Sequence, residues 1–310
     1  MRFSMLKKTD LQISVLGLGT NAVGGHNLYQ DLNEEDGKNL VRAALEQGIT
    51  FIDTADVYGE GRSEELVGEV LKEFERDQYV IATKGGSDWR NGSKNNSPAY
   101  LRGALEDSLK RLQLDSVDLY YIHWPDEKTP LGEAVAELSR LKQEGKIKAI
   151  GVSNVSLEQL KQANGSLEIS AVQLQYNMFQ REIEKDLLPY CVQNNISVVA
   201  YGPLAYGILG GEYSKDFQLE EGDWRNSSPL FQSGNFEKYI DKVEQLKEIA
   251  EQKGTDVSNL ALAWLLEQPG IDAVIPGGKR PEQVQSNIAA AEIRIESQLM
   301  DKIEKILQEK

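Results

Sequence analysis

Hydrophobic and polar positions follow one repeating unit along the chain. An amphipathic stretch with helical spacing is followed by a short turn and then by a run rich in Val, Ile and aromatic residues. In four of these turns, Gly or Asn stands where the end of a helix favours a left-handed residue, namely at Gly48, Gly145, Asn195 and Gly270. The pattern predicts alternating helices and strands, which is typical of a parallel sheet.

About eight runs have the length and composition of strands. They cover residues 15–19, 49–53, 79–84, 117–123, 147–153, 169–175, 196–202 and 271–276. Helical stretches lie between nearly all of them, so the pattern fits a (β/α)8 TIM barrel better than the alternative, an open doubly wound sheet. We therefore expect an α/β protein in which residues 1–310 form a single barrel domain.

Two segments depart from the repeat. Residues 1–14 are expected to form a short N-terminal hairpin ahead of the first barrel strand. Residues 203–235 form a long excursion after the seventh strand, where irregular segments are usually active-site lids or disordered. The aromatic residues in this excursion favour a lid, and they are Tyr206, Tyr213, Phe217, Trp224 and Phe231.

Composition excludes several functions. Among 310 residues, 34 Lys and Arg stand against 49 Asp and Glu, and the net charge of −15 repels nucleic acid and anionic membranes. A ligand that carries phosphate therefore needs a local basic pocket. Cys191 is the one cysteine, so an intrachain disulfide and a multi-thiolate metal site are excluded and no metal is expected. The sequence shows no targeting or membrane-spanning segment, and we expect a cytoplasmic protein.

Polar residues collect where the predicted strands end, which is where active sites lie in such barrels. In chain order they are Thr20, Asn21, Asp53, Lys84, His123, Ser153, Asn154, Gln173, Gln175, Tyr201 and residues 277–280. Each has an ordinary alternative, since Asp53 could be a helix N-cap or a paired core carboxylate, Lys84 an exposed lysine and His123 a satisfied structural imidazole. Tyr58 could likewise be an ordinary loop aromatic. Their combination at one rim favours a functional site.

Four of these side chains suit the reduction of a carbonyl group. The phenol of Tyr58 has an ordinary pKa of about 10, so it needs a neighbouring cation to give up its proton readily. An ammonium about 4 Å away contributes roughly 4 kcal/mol at an effective dielectric of about 20, which would lower the phenol pKa by about three units, and Lys84 could supply it. Asp53 could keep that lysine charged, and His123 could hydrogen-bond the carbonyl oxygen.

A Schiff-base aldolase is the rival enzyme class, because a lysine at a barrel strand end suits that chemistry. The presence of Tyr58 and of the polar cluster formed by Ser153, Asn154 and Gln173 disfavours it.

The glycine-rich segments match neither familiar nucleotide loop. Residues 17–24 have the wrong spacing for the Rossmann fingerprint, and residues 278–280 lack the flanking residues of a Walker loop. However, Lys279 and Arg280 stand in a Gly-rich turn before a helix predicted to begin near Pro281. Backbone N–H groups and two cations there suit a phosphate site.

The motifs along nearly the whole chain resemble those of the aldo-keto reductase family. They lie at residues 17–20, 53–59, 82–84, 121–125, 151–154, 173–177, 201–204 and 275–277. Residues 19–28 are most similar to a bacterial branch of the family that is associated with inositol catabolism.

The resemblance implies a monomeric barrel that uses NADPH to reduce an aldehyde or ketone, with Asp53, Tyr58, Lys84 and His123 as the catalytic tetrad. It implies that Ser153, Asn154 and Gln173 hold the nicotinamide carboxamide and that Tyr201 stacks on the ring. The remaining coenzyme contacts that it implies are Thr20, Asn21, Pro203, Leu204, Gly207, Leu209, Gly211, Gly278, Lys279, Arg280, Gln283 and Asn287. Trp124 is expected to line the pocket of a small-molecule carbonyl substrate beside Tyr58 and His123.

Some alternatives stay open at this point. A coenzyme-bound regulatory subunit of a membrane channel, with slow turnover, is the alternative from outside enzymes. His26 could touch substrate or be a solvated loop residue. Trp89, in a Gly- and Asn-rich loop, is a weaker pocket candidate than Trp124, and Trp264 is expected in the core.

Overall fold

A short antiparallel hairpin precedes the barrel, as predicted. The structure is a computed structural model and describes residues 1–29 and 31–309. Strands β1 (Phe3–Met5) and β2 (Gln12–Ser14) pair antiparallel. Leu6, Leu11 and Ile13 are buried in the same cluster as the side chains that fill the barrel interior. The hairpin therefore closes the N-terminal end of the barrel.

Eight parallel strands form a closed barrel, which confirms the predicted fold. In chain order, the strands after the hairpin are β3 (Gly17–Gly19), β4 (Phe51–Asp53), β5 (Val80–Gly85), β6 (Ser87–Asp88), β7 (Ser93–Lys94), β8 (Val117–Ile122), β9 (Ile147–Ser153), β10 (Ile169–Gln175), β11 (Ser197–Tyr201) and β12 (Ile271–Ile275). Strands β6 and β7 form a separate hairpin, and the others pair in parallel in sequence order. The Gly19 N–H donates to the Pro276 carbonyl at 3.0 Å, and the Val274 N–H donates to the Val15 carbonyl at 2.9 Å. The last strand thus returns to the first.

Helices surround the barrel and connect its strands. They are α1 (Glu34–Glu46), α2 (Arg62–Leu71), α3 (Pro98–Leu112), α4 (Leu131–Gln143), α5 (Leu157–Ala163), α6 (Leu187–Gln193), α7 (Phe236–Gln252), α8 (Val257–Leu266), α9 (Pro281–Ala290) and α10 (Ser297–Gln308). Helix α9 begins at Pro281, as predicted, and α7 and α10 pack against each other. None of the helices in the described ranges is long and apolar enough to cross a membrane.

The four predicted turn residues adopt left-handed backbone conformations. The φ angles are 84° at Gly48, 77° at Gly145, 53° at Asn195 and 89° at Gly270. Glycine has no Cβ and Asn tolerates this region better than most residues, so each can leave a helix and enter the next strand at small cost.

Side chains along each strand point alternately into the barrel and toward the helices, which divides the core into two parts. Inward-facing positions form one buried cluster that includes Phe51, Ala82 and Tyr121. Outward-facing positions such as Ile52 and Ile81 join the larger cluster beneath the helices. Because side chains alternate with a period of two, the next inward position at the C-terminal end of each strand opens onto the barrel mouth.

Gly151 lets a large aromatic ring fill the barrel interior. A Cβ at this position would lie 2.3 Å from the ring of Tyr121, which is fully buried. Real Cβ atoms do not approach so closely, so the packing of Tyr121 requires glycine on the neighbouring strand β9.

The excursion at residues 203–235 is ordered by its own aromatic residues. It contains three short 3-10 turns, Ala205–Gly210, Trp224–Ser227 and Pro229–Phe231. Tyr213 stacks on Phe217 with ring centroids 3.9 Å apart, and the guanidinium of Arg225 donates to the Tyr213 hydroxyl at 2.9 Å. The ordered form agrees with the predicted lid, whose closure over a ligand stays a prediction.

Candidate active site

The inward positions at the strand ends form a ring of polar side chains, here called the polar rim. Its members are Asp53, Lys84, His123, Ser153, Gln173 and Tyr201, from six neighbouring strands or strand ends. On β4, Asp53 lies two residues beyond the interior residue Phe51. Lys84 and His123 likewise stand two residues beyond Ala82 and Tyr121. The strand period thus brings together residues that are distant in sequence.

Asp53 and Lys84 form a buried ion pair. The Lys84 Nζ lies 2.5 Å from Asp53 Oδ1 and donates a second hydrogen bond to the Thr54 carbonyl at 2.7 Å. The amide of Gln173 donates to the other carboxylate oxygen, Oδ2, at 2.8 Å. Lys84 is fully buried and Asp53 is nearly so. The alternatives of an exposed lysine and a helix N-cap are therefore wrong.

Each member of the pair favours the charged form of the other. Burial alone would lower the pKa of Lys84, but the Asp53 carboxylate and the nearby Tyr58 raise it above its ordinary value. Burial raises the pKa of Asp53, against the opposing influence of the Lys84 charge. Two hydrogen-bond donors meet the carboxylate, so the ammonium stays in place as a fixed cation beside Tyr58.

Tyr58 lies on a 3-10 turn, Tyr58–Gly61, five residues after the end of β4. The Lys84 Nζ is 5.2 Å from the centroid of its ring. Burial raises the pKa of the Tyr58 phenol, while the charge of Lys84 acts to lower it. The sequence predicts a net lowering of the Tyr58 pKa, and that direction is wrong because desolvation of the phenolate outweighs the attraction of the ammonium.

His123 follows β8 and faces Tyr58 at the barrel mouth. The two rings lie edge to face, with centroids 6.0 Å apart. Burial, followed by the charges of Lys84 and Lys94, holds the pKa of His123 well below its usual range. Its Nδ1 is buried without a hydrogen-bond partner among the described residues. His123 is therefore a neutral imidazole, and the alternative of a satisfied structural histidine is wrong.

The polar residues on the opposite side of the mouth form a connected network. The Asn154 amide donates to Ser153 Oγ and to the His123 carbonyl, both at 3.0 Å. The Tyr201 hydroxyl donates to Asn154 Oδ1 at 2.7 Å, and Ser153 Oγ donates to the Gln173 carbonyl at 2.9 Å. These hydroxyl and amide groups match the mixed donor and acceptor chemistry of a carboxamide.

Thr20 and Asn21 follow β3 and differ in their surroundings. The Thr20 hydroxyl is fully buried and contacts the Asp53 carbonyl at 3.1 Å and Ser63 Oγ at 3.0 Å. It therefore holds the end of β4 in position. The Asn21 amide donates to the Tyr29 hydroxyl at 3.1 Å, at the edge of the mouth.

The segment after Tyr201 begins with a sharp turn. Gly202, Gly207 and Gly211 have φ angles of 62°, 103° and 80°, and Tyr206 also lies in the left-handed region at 56°. Of the predicted coenzyme contacts in this segment, Pro203 and Leu209 are buried, while Leu204, Gly207 and Gly211 are partly exposed. Backbone groups of this turn can reach a ligand beside the polar rim.

The turn before α9 presents an exposed basic pair. Lys279 and Arg280 are exposed, and no carboxylate in the described ranges lies within ion-pair distance of either. Their N–H groups both donate to Gln283 Oε1, at 2.7 and 3.1 Å. Gly278 and Asn287 are buried beside them. Because Gln283 already accepts from both of these N–H groups, it is the two cations at the helix start, and not these backbone donors, that fit a phosphate group.

Trp124 follows His123 and is 38% exposed. The centroids of the His123 and Trp124 rings lie 6.4 Å apart. His26 lies in an exposed loop with its Nε2 3.3 Å from Glu34 Oε1. Trp89 lies at the tip of the β6–β7 hairpin beside Arg90. Trp264 is fully buried in α8, which confirms its expected core position.

Three residues at the mouth were missed by the sequence reasoning. The Thr54 carbonyl anchors Lys84, and a main-chain acceptor leaves no sequence signal. Tyr206 accepts a hydrogen bond from the Gln175 amide at 2.5 Å, whereas the sequence pattern indicates only a lid aromatic there. Tyr29 lies below the Lys279 ammonium, 5.1 Å from ring centroid to Nζ, and had no signal beyond its loop position.

Together the fold and the site define an oxidoreductase-type barrel, with the Tyr58 phenol, the buried Lys84 cation and the His123 imidazole at one mouth. The family model for the Aldo/keto reductase family matches residues 15–308, and the chain belongs to this family. Its members are oxidoreductases that act on carbonyl groups and use nicotinamide coenzymes. No group of three or more His, Cys, Asp or Glu residues that could hold a metal occurs in the part of the chain that the structure describes.

Known proteins that resemble this chain span nearly its full length. Aldo-keto reductase YhdN of Bacillus subtilis is 40% identical over 290 residues, which cover 92% of this chain and 87% of that protein. The NADH-specific methylglyoxal reductase of Escherichia coli is 38% identical over 306 residues, covering 94% and 93%. The structure of the glycerol dehydrogenase AKR11B4 from Gluconobacter oxydans superposes with a TM-score of 0.91 at 37% identity, covering 98% of this chain and 94% of that one.

Proposed function

We propose that this protein reduces an aldehyde or ketone to an alcohol with NADPH, with Tyr58 as the general acid, and that it acts as a cytoplasmic monomer. The observation that carries the proposal is the buried Asp53–Lys84 pair beneath Tyr58, with neutral His123 facing the same opening. A Schiff-base aldolase fits this arrangement less well, because Lys84 is charged and engaged with Asp53 and Thr54.

The chain supplies the binding, orientation and proton for this reaction. His123, being neutral, can donate one hydrogen bond to the carbonyl oxygen of the substrate. Tyr58 remains protonated at neutral pH because its pKa is raised, so its O–H can give a proton to the same oxygen. The Lys84 cation stabilises the phenolate that is left behind, and Asp53 keeps that cation in position.

A reduced nicotinamide coenzyme, when bound, would supply the hydride for the carbonyl carbon. Ser153, Asn154 and Gln173 would hold its carboxamide, and Tyr201 would lie against its ring. The remaining predicted contacts at the turn after β11 and at the turn before α9 would hold its phosphates and adenosine.

NADPH is proposed over NADH because Lys279 and Arg280 offer charge at the turn before α9. Arg280 would hold a phosphate there through paired donors, and Lys279 through a point charge. The NADH-specific relative makes the coenzyme preference a question to be measured for this chain.

A panel of carbonyl compounds tests the substrate class. Turnover of each compound is measured as the loss of coenzyme absorbance, once with NADPH and once with NADH. The names of the relatives suggest methylglyoxal and a glycerol-derived aldehyde for the panel. The likeness of residues 19–28 to the inositol-associated branch adds a ketone derived from inositol.

Rapid turnover of at least one carbonyl compound is the expected result. Tight coenzyme binding with negligible turnover across the panel would contradict the proposal and favour a coenzyme-bound regulatory subunit. Trapping of a substrate on Lys84 by borohydride would instead favour the aldolase.

A further inference from the structure

The β6–β7 hairpin places a cation beside the substrate side of the mouth. It follows directly after β5, the strand that ends near Lys84. Lys94 on β7 has its Nζ 4.9 Å from the centroid of the Trp124 ring. Trp124 in turn adjoins His123. The Trp124 ring therefore lies between the Lys94 ammonium and the His123 imidazole, the group proposed to bind the carbonyl oxygen.

Hydrogen bonds hold this hairpin against the loop that carries His123 and Trp124. The Asn96 N–H donates to Asp126 Oδ2 at 2.7 Å, and the Asp126 N–H donates back to Asn96 Oδ1 at 2.8 Å. The His123 N–H also donates to the Gly85 carbonyl at 2.9 Å. These bonds fix the segment that follows Lys94 relative to the loop that carries Trp124.

The charge of Lys94 is available to a ligand. No carboxylate in residues 1–29 and 31–309 lies within ion-pair distance of it. On the hairpin, Lys94 pairs with Ser87 and Asp88 pairs with Ser93, so the side chains of Lys94 and Asp88 lie on opposite faces. Asp126 in the neighbouring loop already accepts hydrogen bonds at both of its carboxylate oxygens.

A second observation supports an electrostatic interaction between Lys94 and His123. The charge of Lys94 contributes to holding the pKa of His123 low, after burial and the charge of Lys84. The Lys94 ammonium, which acts on His123, would also attract an anionic group on a substrate bound at His123. The aromatic face of Trp124 would cover the apolar part of that substrate.

We propose that Lys94 is a specificity-determining residue that favours carbonyl substrates carrying an anionic group, either a carboxylate or a phosphate, over neutral ones. This inference rests on the proposed carbonyl reductase function. An exposed charge pair of this kind contributes up to about 1 kcal/mol, which is roughly a fivefold preference.

The test compares two pairs of substrates that share the reacting aldehyde and its carbon skeleton, one member of each pair being anionic and the other neutral. kcat/KM is measured for 4-carboxybenzaldehyde against its neutral methyl ester, and for glyceraldehyde 3-phosphate against glyceraldehyde. Lys94→Met should lower the acid-to-neutral ratio by about fivefold, Lys94→Arg should retain it, and Lys94→Glu should lower it further. The difference should shrink at about 0.5 M salt, where screening is strong.

Lys253→Met is the matched control, since Lys253 is an exposed lysine at the end of α7 without an ion pair in the described ranges. A fall in the carboxylate ratio alone, or in the phosphate ratio alone, identifies which anion Lys94 serves and supports the proposal. If Lys94→Met changes neither ratio more than Lys253→Met does, the proposal is overturned. If the parent protein reduces none of the four compounds or any other panel member, the proposed function fails first and this inference fails with it.

Discussion

Tyr58 experiences two opposing influences at the residue scale. Burial raises its pKa and keeps the proton on the phenol, while the Lys84 ammonium lowers the free energy of the phenolate. For a general acid, the first influence keeps the reactive form populated and the second makes the proton transfer easier. The reduction should therefore keep its rate from neutral pH upward and lose it only above about pH 10, where the phenol would ionise.

Lys84→Met should slow the reduction and raise the pKa of Tyr58 further, because the variant removes a cation that favours the phenolate. It should also destabilise the fold by about 3–5 kcal/mol, since Asp53 would be left buried without its ion-pair partner. The pH–rate profile under conditions where chemistry limits the rate, together with urea unfolding, measures both effects. A high-pH limb at the same pH in the variant and the parent would show that Lys84 does not act on Tyr58.

At the scale of elements, the N-terminal hairpin lies at one end of the barrel and the polar strand ends lie at the other. Leu6 is fully buried in the interior cluster and closes the N-terminal end. The polar rim lies at the C-terminal ends of the same strands. Stability and chemistry can therefore be perturbed separately.

Leu6→Ala should lower the free energy of unfolding by about 2–5 kcal/mol, the range for truncating a fully buried Leu. The affinity for coenzyme should change little, because the lost contacts lie at the far end of the barrel. Urea unfolding and a coenzyme titration measure the two quantities. Leu167→Ala is the control, since Leu167 is 65% exposed and its loss should cost less than about 0.5 kcal/mol. Equal losses in the two variants would show that the hairpin does not close the core.

Local patterns predicted the repeating elements well because each depends on neighbouring residues. The period of the strands and the left-handed turns at Gly48 and Gly270 are local properties, and both are confirmed. The placement of Asp53, Lys84 and His123 at one mouth followed from the barrel geometry together with these patterns.

Contacts that depend on the tertiary fold could not be predicted. The β6–β7 hairpin is short, polar and without a clear hydrophobic period, so the sequence indicated only a Gly- and Asn-rich loop there. The approach of Lys94 to Trp124 follows from that hairpin. The net direction of the Tyr58 pKa depends on how completely the folded protein excludes water, which local sequence does not contain.

Charge distribution matters at the scale of the whole molecule. The net charge of −15 disfavours anionic ligands in general, so a phosphate-bearing coenzyme needs local cations. Lys279 and Arg280 provide them at a helix start, on the same side of the barrel as the polar rim. This distribution is the physical basis for the proposed preference for NADPH.

Arg280→Ala should weaken NADPH binding by about ten- to a hundredfold, since charge-assisted hydrogen bonds contribute roughly 1.5–3 kcal/mol. NADH binding should hardly change, because NADH has no 2′-phosphate. Fluorescence titrations of both coenzymes with the parent and the variant measure the difference, and NADH serves as the internal control. Equal losses for the two coenzymes would mean that Arg280 supports the turn and does not bind the 2′-phosphate.

The central claim is that the phenol of Tyr58 delivers the proton in a carbonyl reduction at the polar rim. Tyr58→Phe tests it most directly, because the ring that packs against His123 remains while the proton donor is lost. With the coenzyme bound and chemistry limiting the rate, single-turnover reduction should slow by at least about a hundredfold while the coenzyme dissociation constant stays nearly unchanged. A Tyr58→Phe protein that reduces the same carbonyl compound at close to the parent rate would contradict the account.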